Sequence, residues 1–97
     1  MKRLKRKVNF KNIKDGIIID IRSISDYNSF HIENSINYPK EYLEKNYKAL
    51  LNKKTRYYLI CYVGKSSNTL SKKIRKEKYN ISYIKGGYKL VTKLLKQ

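Results

Sequence analysis

The segment YYLICYVGKSSNTLSKKI, residues 57–74, contains the single cysteine of the chain, Cys61. An apolar run leads into Cys61, and a short loop with Gly64 leads away from it into a segment with helical spacing. A glycine-containing loop that opens a helix can direct several backbone N–H groups inward and form an anion-binding nest. The same N–H groups and the helix dipole favour a thiolate. The segment therefore suggests a cysteine nucleophile beside an anion cradle.

A second interpretation of Cys61 is a buried structural residue at the end of a strand. Free cysteine is among the most buried residue types, and a strand end is an ordinary place for one. Lys65, Ser66 and Ser67 favour the reactive interpretation, because they add a cation and two hydroxyl donors after the loop. The local pattern leaves both interpretations open.

The rest of the chain predicts strands and helices in alternation. Short apolar runs at 17–22, 56–62 and 81–84 indicate buried strands, with shorter strands at 8–13 and 35–39. Ser23 or Ser25 is an N-cap candidate for a short helix that ends near Phe30. Further helices are predicted over 40–51, 65–79 and 88–96, with their apolar residues on one face. The predicted inward residues are Leu43, Tyr47, Leu50, Leu51, Leu70, Ile74, Leu90, Val91, Leu94 and Leu95.

This alternation predicts an α/β fold with a mostly parallel central sheet of about five short strands and helices on both faces. Ligands bind such sheets outside the carboxyl ends of the strands, and Cys61 lies at such an end. Residues 1–7 are predicted to be a basic extension, and residues 8–97 a single domain.

The composition limits the classes of function. The chain of 97 residues has one Cys and one His, too few for an internal disulfide, a CxxC pair or a Cys/His zinc site, so no metal or cofactor is expected. No apolar run suits a membrane span or a secretory signal, and a reducing cytoplasm is the expected location. The net charge of +17 favours anionic partners, whether nucleic acid, acidic proteins, membranes or small anions. A bias toward Lys, Asn, Ile and Tyr codons is the alternative explanation.

Four segments in order resemble the single-domain rhodanese family, the thiosulfate sulfurtransferases. IIIDIR, with Asp20 and Arg22, is similar to the family's strand that ends in Asp-Val-Arg. SDYNSFHIENSINYP is similar to its stretch with an acidic residue, His-Ile and Asn-x-Pro, although Phe30 and Asn34-Ser35 stand where the family has Gly and Gly-Ala. YLICYVGKSS resembles the active-site loop, and YIKGGY resembles the Gly-Gly-aromatic turn before the last helix.

The resemblance implies sulfurtransferase activity with Cys61 as the catalytic nucleophile. Its thiolate would take the outer sulfur of a small anionic donor such as thiosulfate and pass it, as a persulfide, to a thiophilic acceptor such as cyanide. The substrate-binding residues would be Tyr62, Val63, Gly64, Lys65, Ser66 and Ser67, supported by Asp20 and Arg22. The alternative is a sulfur-carrier or binding module that docks on a tRNA-modifying or cofactor-building partner, so a protein or tRNA partner is possible and a membrane is not expected.

Related phosphatases and arsenate reductases provide a competing chemistry. Their loops are one residue longer and end in an Arg that clamps a phosphate-sized oxyanion. Here Ser66 and Ser67 follow Lys65, so the bidentate clamp is missing and sulfur transfer is favoured. Within the loop, Tyr62 and Ser66 stand where many family members carry Arg, which implies fewer cations near the sulfur.

Three further polar residues are predicted to have structural roles. His31 is expected to hold a turn, since a loop-stabilised thiolate needs no base. Asp20 is expected to bind backbone N–H groups of a loop or turn. Arg22 is expected to pair with Asp26 across the strand and the following helix.

Overall fold

In the computed structural model, which describes residues 7–8, 13 and 15–95, a parallel five-stranded sheet is flanked by four helices. The strand order is β1-β5-β4-β2-β3. The elements along the chain are β1 (Lys7–Val8), β2 (Ile17–Asp20), α1 (Ile24–Ser29), β3 (Ile36–Asn37), α2 (Lys40–Leu50), β4 (Tyr57–Ile60), α3 (Lys65–Arg75), β5 (Ile81–Ile84) and α4 (Gly87–Leu95). The predicted fold class is confirmed.

The central strand β4 is buried along its whole length, as its uninterrupted apolar sequence predicts. It lies between β2 and β5, and its residues Tyr57 and Ile60 stand opposite Ile17 and Asp20 of β2. Because all pairs in the sheet are parallel, the carboxyl ends of β2, β4 and β5 meet at one edge. This edge carries the candidate site.

Two apolar clusters, one on each face of the sheet, form the core. The larger cluster joins β2, β4 and β5 to α2 and α3, and it includes Leu43, Tyr47, Leu70 and Ile74 as predicted. The smaller cluster joins the sheet to α4 through Tyr88 and Val91. Each fully buried Ile or Leu in such a cluster stabilises the fold by roughly 1.5–3 kcal/mol.

Local caps and turns also follow the sequence. Ser23 is the N-cap of α1, and its Oγ accepts a hydrogen bond from the Asp26 N–H at 3.2 Å. Asn34 stands where the family has Gly and adopts φ 69°, a left-handed conformation that asparagine tolerates better than most residues. The predicted turn before β3 is therefore compatible with asparagine.

Several element boundaries and one helix face differ from the predictions. The predicted strands and helices extend one to four residues too far at about half of their ends, and α3 ends at Arg75 rather than at residue 79. Leu90, predicted to point inward, is 37% exposed, whereas Tyr88 is 1% exposed. Tyr88 and Val91 thus define the buried face of α4, and the side chain of Leu95 lies outside the described residues.

The amino-terminal predictions fall mostly on residues that are not described. The predicted edge strand at 8–13 corresponds to β1 only at Val8, which pairs with Ile84, and Ile13 packs on the smaller cluster. Of the predicted extension, residues 1–7, only the backbone of Lys7 is described, and it pairs with Tyr83.

Candidate functional site

Cys61 is the first residue after β4 and lies at the carboxyl edge of the sheet. Its side chain is 7% exposed and packs with the larger apolar cluster. The residues that follow form a loop of three positions, 62–64, before α3 begins at Lys65. The strand, loop and helix are therefore arranged as the sequence predicts, with the thiol beneath the first turn of α3.

Two backbone N–H groups donate to the sulfur of Cys61, and one hydroxyl lies within hydrogen-bond distance of it. The N–H of Gly64 lies 3.2 Å from Sγ, the N–H of Ser67 lies 3.4 Å away, and the hydroxyl of Ser67 lies 3.2 Å away. The Ser67 hydroxyl is also 3.2 Å from the carbonyl oxygen of Gly64. The sulfur is therefore enclosed by polar groups of the loop and of the first turn of α3.

Gly64 is required by the shape of the loop. It adopts φ 96°, and a Cβ built there would lie 3.1 Å from the backbone nitrogen of Gly86. A side chain at this position would strain the backbone and crowd the loop after β5. The glycine therefore lets two loops touch while its own N–H points at the sulfur.

The first turn of α4 holds the carbonyl side of the cysteine loop. The N–H groups of Tyr88 and Lys89 donate to the carbonyl oxygens of Cys61 and Tyr62, each at 2.9 Å. We call these two hydrogen bonds the α4 contact. Gly87 makes it possible, since a Cβ there would lie only 2.2 Å from the Cys61 carbonyl oxygen.

The predicted substrate-binding residues fall into two groups. Gly64 and Ser67 are buried and contact the sulfur, as described above. Tyr62 and Val63 are 56% and 51% exposed, Lys65 is exposed and Ser66 is half-buried. The second group therefore lies at the solvent side of the loop.

Asp20 and Arg22 form a buried ion pair at the same edge of the sheet. The Arg22 Nη2 lies 2.9 Å from Asp20 Oδ2, and the Arg22 N–H donates to Asp20 Oδ1 at 2.9 Å. The predicted pairing of Arg22 with Asp26 is wrong, because Asp20 and Arg22 are two residues apart and share a face of the extended chain. The expectation that Asp20 binds a backbone N–H is confirmed.

The Asp20–Arg22 pair supports the cysteine loop through Tyr88. The Arg22 guanidinium carbon lies 3.8 Å from the centre of the Tyr88 ring, and Arg22 also donates to the Phe30 carbonyl at 2.6 Å. Burial alone would lower the pKa of Arg22, but the hydrogen bond and charge of Asp20 outweigh it and raise the pKa. The cation is thus fixed against the ring of the residue whose N–H binds Cys61.

The sequence interpretation missed Tyr88. Its signal was the aromatic position after Gly86–Gly87, which was assigned only to a turn. The hydroxyl accepts a hydrogen bond from the Ile32 N–H at 3.1 Å, so Tyr88 joins α4 to the segment after α1. Burial raises the pKa of Tyr88 to about 12, with the negative charge of Asp20 acting in the same direction.

This shift predicts a loss of stability at alkaline pH. An unfolded Tyr releases its proton near pH 10, whereas the folded protein holds the Tyr88 proton until about pH 12. The stabilisation is therefore complete below pH 10 and declines as the pH rises through 10 to 12. Tyr88→Phe is expected to remove this part of the decline, measured by urea denaturation at several pH values. An identical alkaline decline in both proteins would contradict the assignment.

His31 follows α1 and contacts a residue of that helix. Its ring stacks on Tyr27 with 3.7 Å between the ring centres, and its Nδ1 donates to the Tyr27 carbonyl at 2.7 Å. These contacts fit the predicted structural role.

The described part of the chain also bears on two other classes of structure, metal sites and membrane spans. There, no group of three or more His, Cys, Asp or Glu residues is arranged to hold a metal ion. No helix among these residues is both long and apolar enough to cross a bilayer.

Known proteins share both the sequence pattern and the fold. The family model of the rhodanese-like domain matches residues 1–94. The probable molybdopterin-synthase adenylyltransferase of Porphyra purpurea is 26% identical over 87 residues, which are 89% of this chain but only 23% of that protein. The chain therefore spans less than a quarter of the length of this relative.

Solved structures agree with the family match. A rhodanese-related protein from Thermoplasma volcanium superposes with a TM-score of 0.84 at 26% identity, over 93% of each chain. An NAD-dependent persulfide reductase from A. fulgidus shares the fold over 87% of this chain and 15% of its own, with a TM-score of 0.68 at 21% identity. The chain belongs to the rhodanese-like domain family, whose members are sulfurtransferase modules.

Proposed function

We propose that this protein transfers sulfane sulfur from a small anionic donor such as thiosulfate to a thiophilic acceptor such as cyanide, through a persulfide on Cys61. The observation that carries the proposal is the convergence of the Gly64 N–H, the Ser67 N–H and the Ser67 hydroxyl on Sγ within 3.4 Å. A buried structural cysteine needs no such set of donors, whereas a thiolate nucleophile does.

In the first step, the Cys61 thiolate attacks the outer sulfur of thiosulfate. A new S–S bond forms to Cys61 while the sulfur–sulfur bond of the donor breaks, and its electron pair leaves with sulfite. The negative charge moves from Sγ to the outer sulfur of the persulfide. No proton transfer is required, which agrees with the contacts of His31 being with Tyr27 of α1.

The persulfide charge would be held by the start of α3. The N–H groups of Lys65 and Ser66 belong to the first helical turn and have no acceptor within the helix. Together with the helix dipole they favour an anion outside Sγ. The exposed Lys65 would attract the anionic donor, although the loop has no Arg to grip it bidentately.

In the second step, the acceptor attacks the outer sulfur and the thiolate of Cys61 is released. With cyanide the product is thiocyanate, and the charge balance closes without a redox partner. Because the chain has no second cysteine, the persulfide cannot be resolved as an internal disulfide. The acceptor must therefore be another molecule.

The direct test is to observe both steps separately. The protein is incubated with thiosulfate, freed of small molecules and weighed by intact mass spectrometry, where a gain of one sulfur atom on Cys61 is expected. Added cyanide should remove that sulfur and release thiocyanate. An unmodified mass after thiosulfate, with the thiol still free, would exclude thiosulfate as the donor.

A second candidate function is a sulfur-carrier module that exchanges sulfur only with a protein partner, such as a tRNA-modifying or cofactor-building enzyme. The match to a 23% portion of an adenylyltransferase motivates it, because that relative carries the similar segment within a longer chain. A carrier would accept sulfur from a protein persulfide and not from thiosulfate. The mass experiment, repeated with a cysteine desulfurase as donor, distinguishes the two functions.

Ser67→Ala is expected to lower sulfur transfer about 10-fold, since a hydrogen bond to a charged group contributes roughly 1.5–3 kcal/mol. The measurement is kcat/KM for thiocyanate formation, together with the rate of Cys61 alkylation by iodoacetamide at neutral pH. Both should fall, because the sulfur loses its contact with the Ser67 hydroxyl.

The matched control is Ser71→Ala, one turn further along α3. Ser71 is also fully buried, but its hydroxyl donates to the Asn68 carbonyl at 3.0 Å. This variant should keep the alkylation rate of the native protein. Equal loss in both variants would indicate that α3 is simply destabilised.

A further inference from the structure

From residue 15 onward, most acidic residues of this chain come first and most basic residues follow. Residues 15–44 carry six acidic and two basic residues, whereas residues 45–97 carry fifteen Lys and Arg and a single acidic residue, Glu77. A codon bias toward Lys would spread lysines over the whole chain. The uneven distribution therefore needs another explanation.

The fold turns this separation into two sides of the molecule. Residues 15–44 form β2, α1, β3 and the start of α2, which lie toward the β3 edge of the sheet. Residues 45–95 include β4, α3, β5 and α4, toward the opposite edge. We call the part formed by residues 57–95 the basic side.

The entrance to Cys61 lies on the basic side. Lys65 begins α3, Lys85 follows β5, and Lys89 lies in the first turn of α4, where its N–H binds the Tyr62 carbonyl. All three lysines are exposed, and none forms an ion pair with a carboxylate of the described residues. Among the described residues, three lysines without a carboxylate partner thus lie on the elements that adjoin the cysteine loop.

An exposed aromatic ring stands among these cations. Tyr62 is 56% exposed although it directly follows a buried strand, and its backbone is fixed by the α4 contact. An aromatic face with flanking lysines is the usual surface for single-stranded nucleic acid, where phosphates meet the cations and a base stacks on the ring. An acidic protein would use the cations but leave this ring without a planar partner.

We propose that the basic side binds single-stranded nucleic acid, with phosphates at Lys85 and Lys89 and a base stacked on Tyr62 beside Cys61. This binding goes beyond the proposed sulfur transfer and needs no reaction at Cys61. It would bring a nucleobase, and not only a small anion, to the entrance of the site.

The test uses a fluorescein-labelled single-stranded RNA of about 12 nucleotides, near the site sizes of single-strand binders, and fluorescence anisotropy in a salt series. The double variant Lys85→Ala/Lys89→Ala should bind at least about 5-fold more weakly, and its log Kd should depend on log salt with a slope smaller by about 1.4. Its control, Lys45→Ala/Lys54→Ala, removes the same charge from exposed positions outside the basic side. Equal weakening in both would overturn the proposal.

The stacking of a base on Tyr62 is tested by comparing two variants of that residue. Tyr62→Ala should weaken binding about 10-fold, because a stacked base contributes roughly 1–3 kcal/mol, whereas Tyr62→Phe should bind as the native protein does. Competition with polyglutamate, which has charge but no bases, should be much weaker than with unlabelled RNA, and equal competition would refute the proposal. Cys61→Ser should bind RNA with the affinity of the native protein. RNA binding can therefore be tested even if the proposed sulfur transfer fails.

Discussion

Cys61→Ser is expected to reduce thiocyanate formation from thiosulfate and cyanide by at least roughly 10³-fold, as removal of a nucleophile commonly does. Serine is nearly isosteric with cysteine, so its hydroxyl oxygen can still accept hydrogen bonds from the N–H groups of Gly64 and Ser67. Its hydroxyl is not ionised near neutral pH, however, and an oxygen cannot carry the persulfide. The measurement is the steady-state rate at saturating thiosulfate, with intact mass to detect any adduct.

The control for Cys61→Ser is a check that the variant is folded, made by circular dichroism and thermal unfolding. The cysteine side chain is buried, so a small change in stability is expected and does not affect the comparison. Full activity in this variant would return Cys61 to the structural role that its strand-end position also allows. Sulfur transfer by the native protein would then have to use another group.

Gly87→Ala is expected to lower sulfur transfer about 10²-fold, the size of effect that a displacement of about 1 Å can have. The added Cβ would lie 2.2 Å from the Cys61 carbonyl oxygen and 2.6 Å from the Tyr62 carbonyl oxygen, so the loop or α4 must move. Alanine at φ 58° also strains the backbone by roughly 1–3 kcal/mol. The α4 contact would be lost or lengthened, and the donors around Sγ would shift with it.

Gly16→Ala is the matched control for this prediction. Gly16 adopts φ 102°, and its added Cβ would lie 2.9 Å from the Arg56 carbonyl oxygen, at the opposite end of the strands from Cys61. It should lose stability by a similar amount, measured by urea denaturation, while activity per folded molecule stays near that of the native protein. Equal loss of activity in both variants would show that the α4 contact has no special part in the site.

The strand, loop and helix around Cys61 were predictable because each carries a strong local signal. An unbroken apolar run precedes the thiol, a glycine shapes the loop, and Leu70 and Ile74 recur at helical spacing. The parallel topology then follows from the alternation of strands and helices. These features depend on residues that are close in sequence.

The role of Tyr88 was not predictable in the same way, because it depends on partners distant in sequence. The segment after Gly87 offers an apolar face through Leu90, but the face actually buried is the one on which Tyr88 packs against Arg22 and the sheet. The pairing of Arg22 was misjudged for a related reason. A helical neighbour, Asp26, was chosen where the extended backbone brings Asp20 to the same face.

During synthesis the α4 contact can form only after the cysteine loop has been made, because α4 follows the loop in the sequence. Cys61 is synthesised 26 residues before Gly87, an interval of about 1–5 s at roughly 5–20 residues per second. During this time the Cys61 and Tyr62 carbonyls lack the N–H groups that fix them in the finished protein. A nascent chain therefore holds the thiol without the finished site, and the site is completed only when the start of α4 docks on the loop.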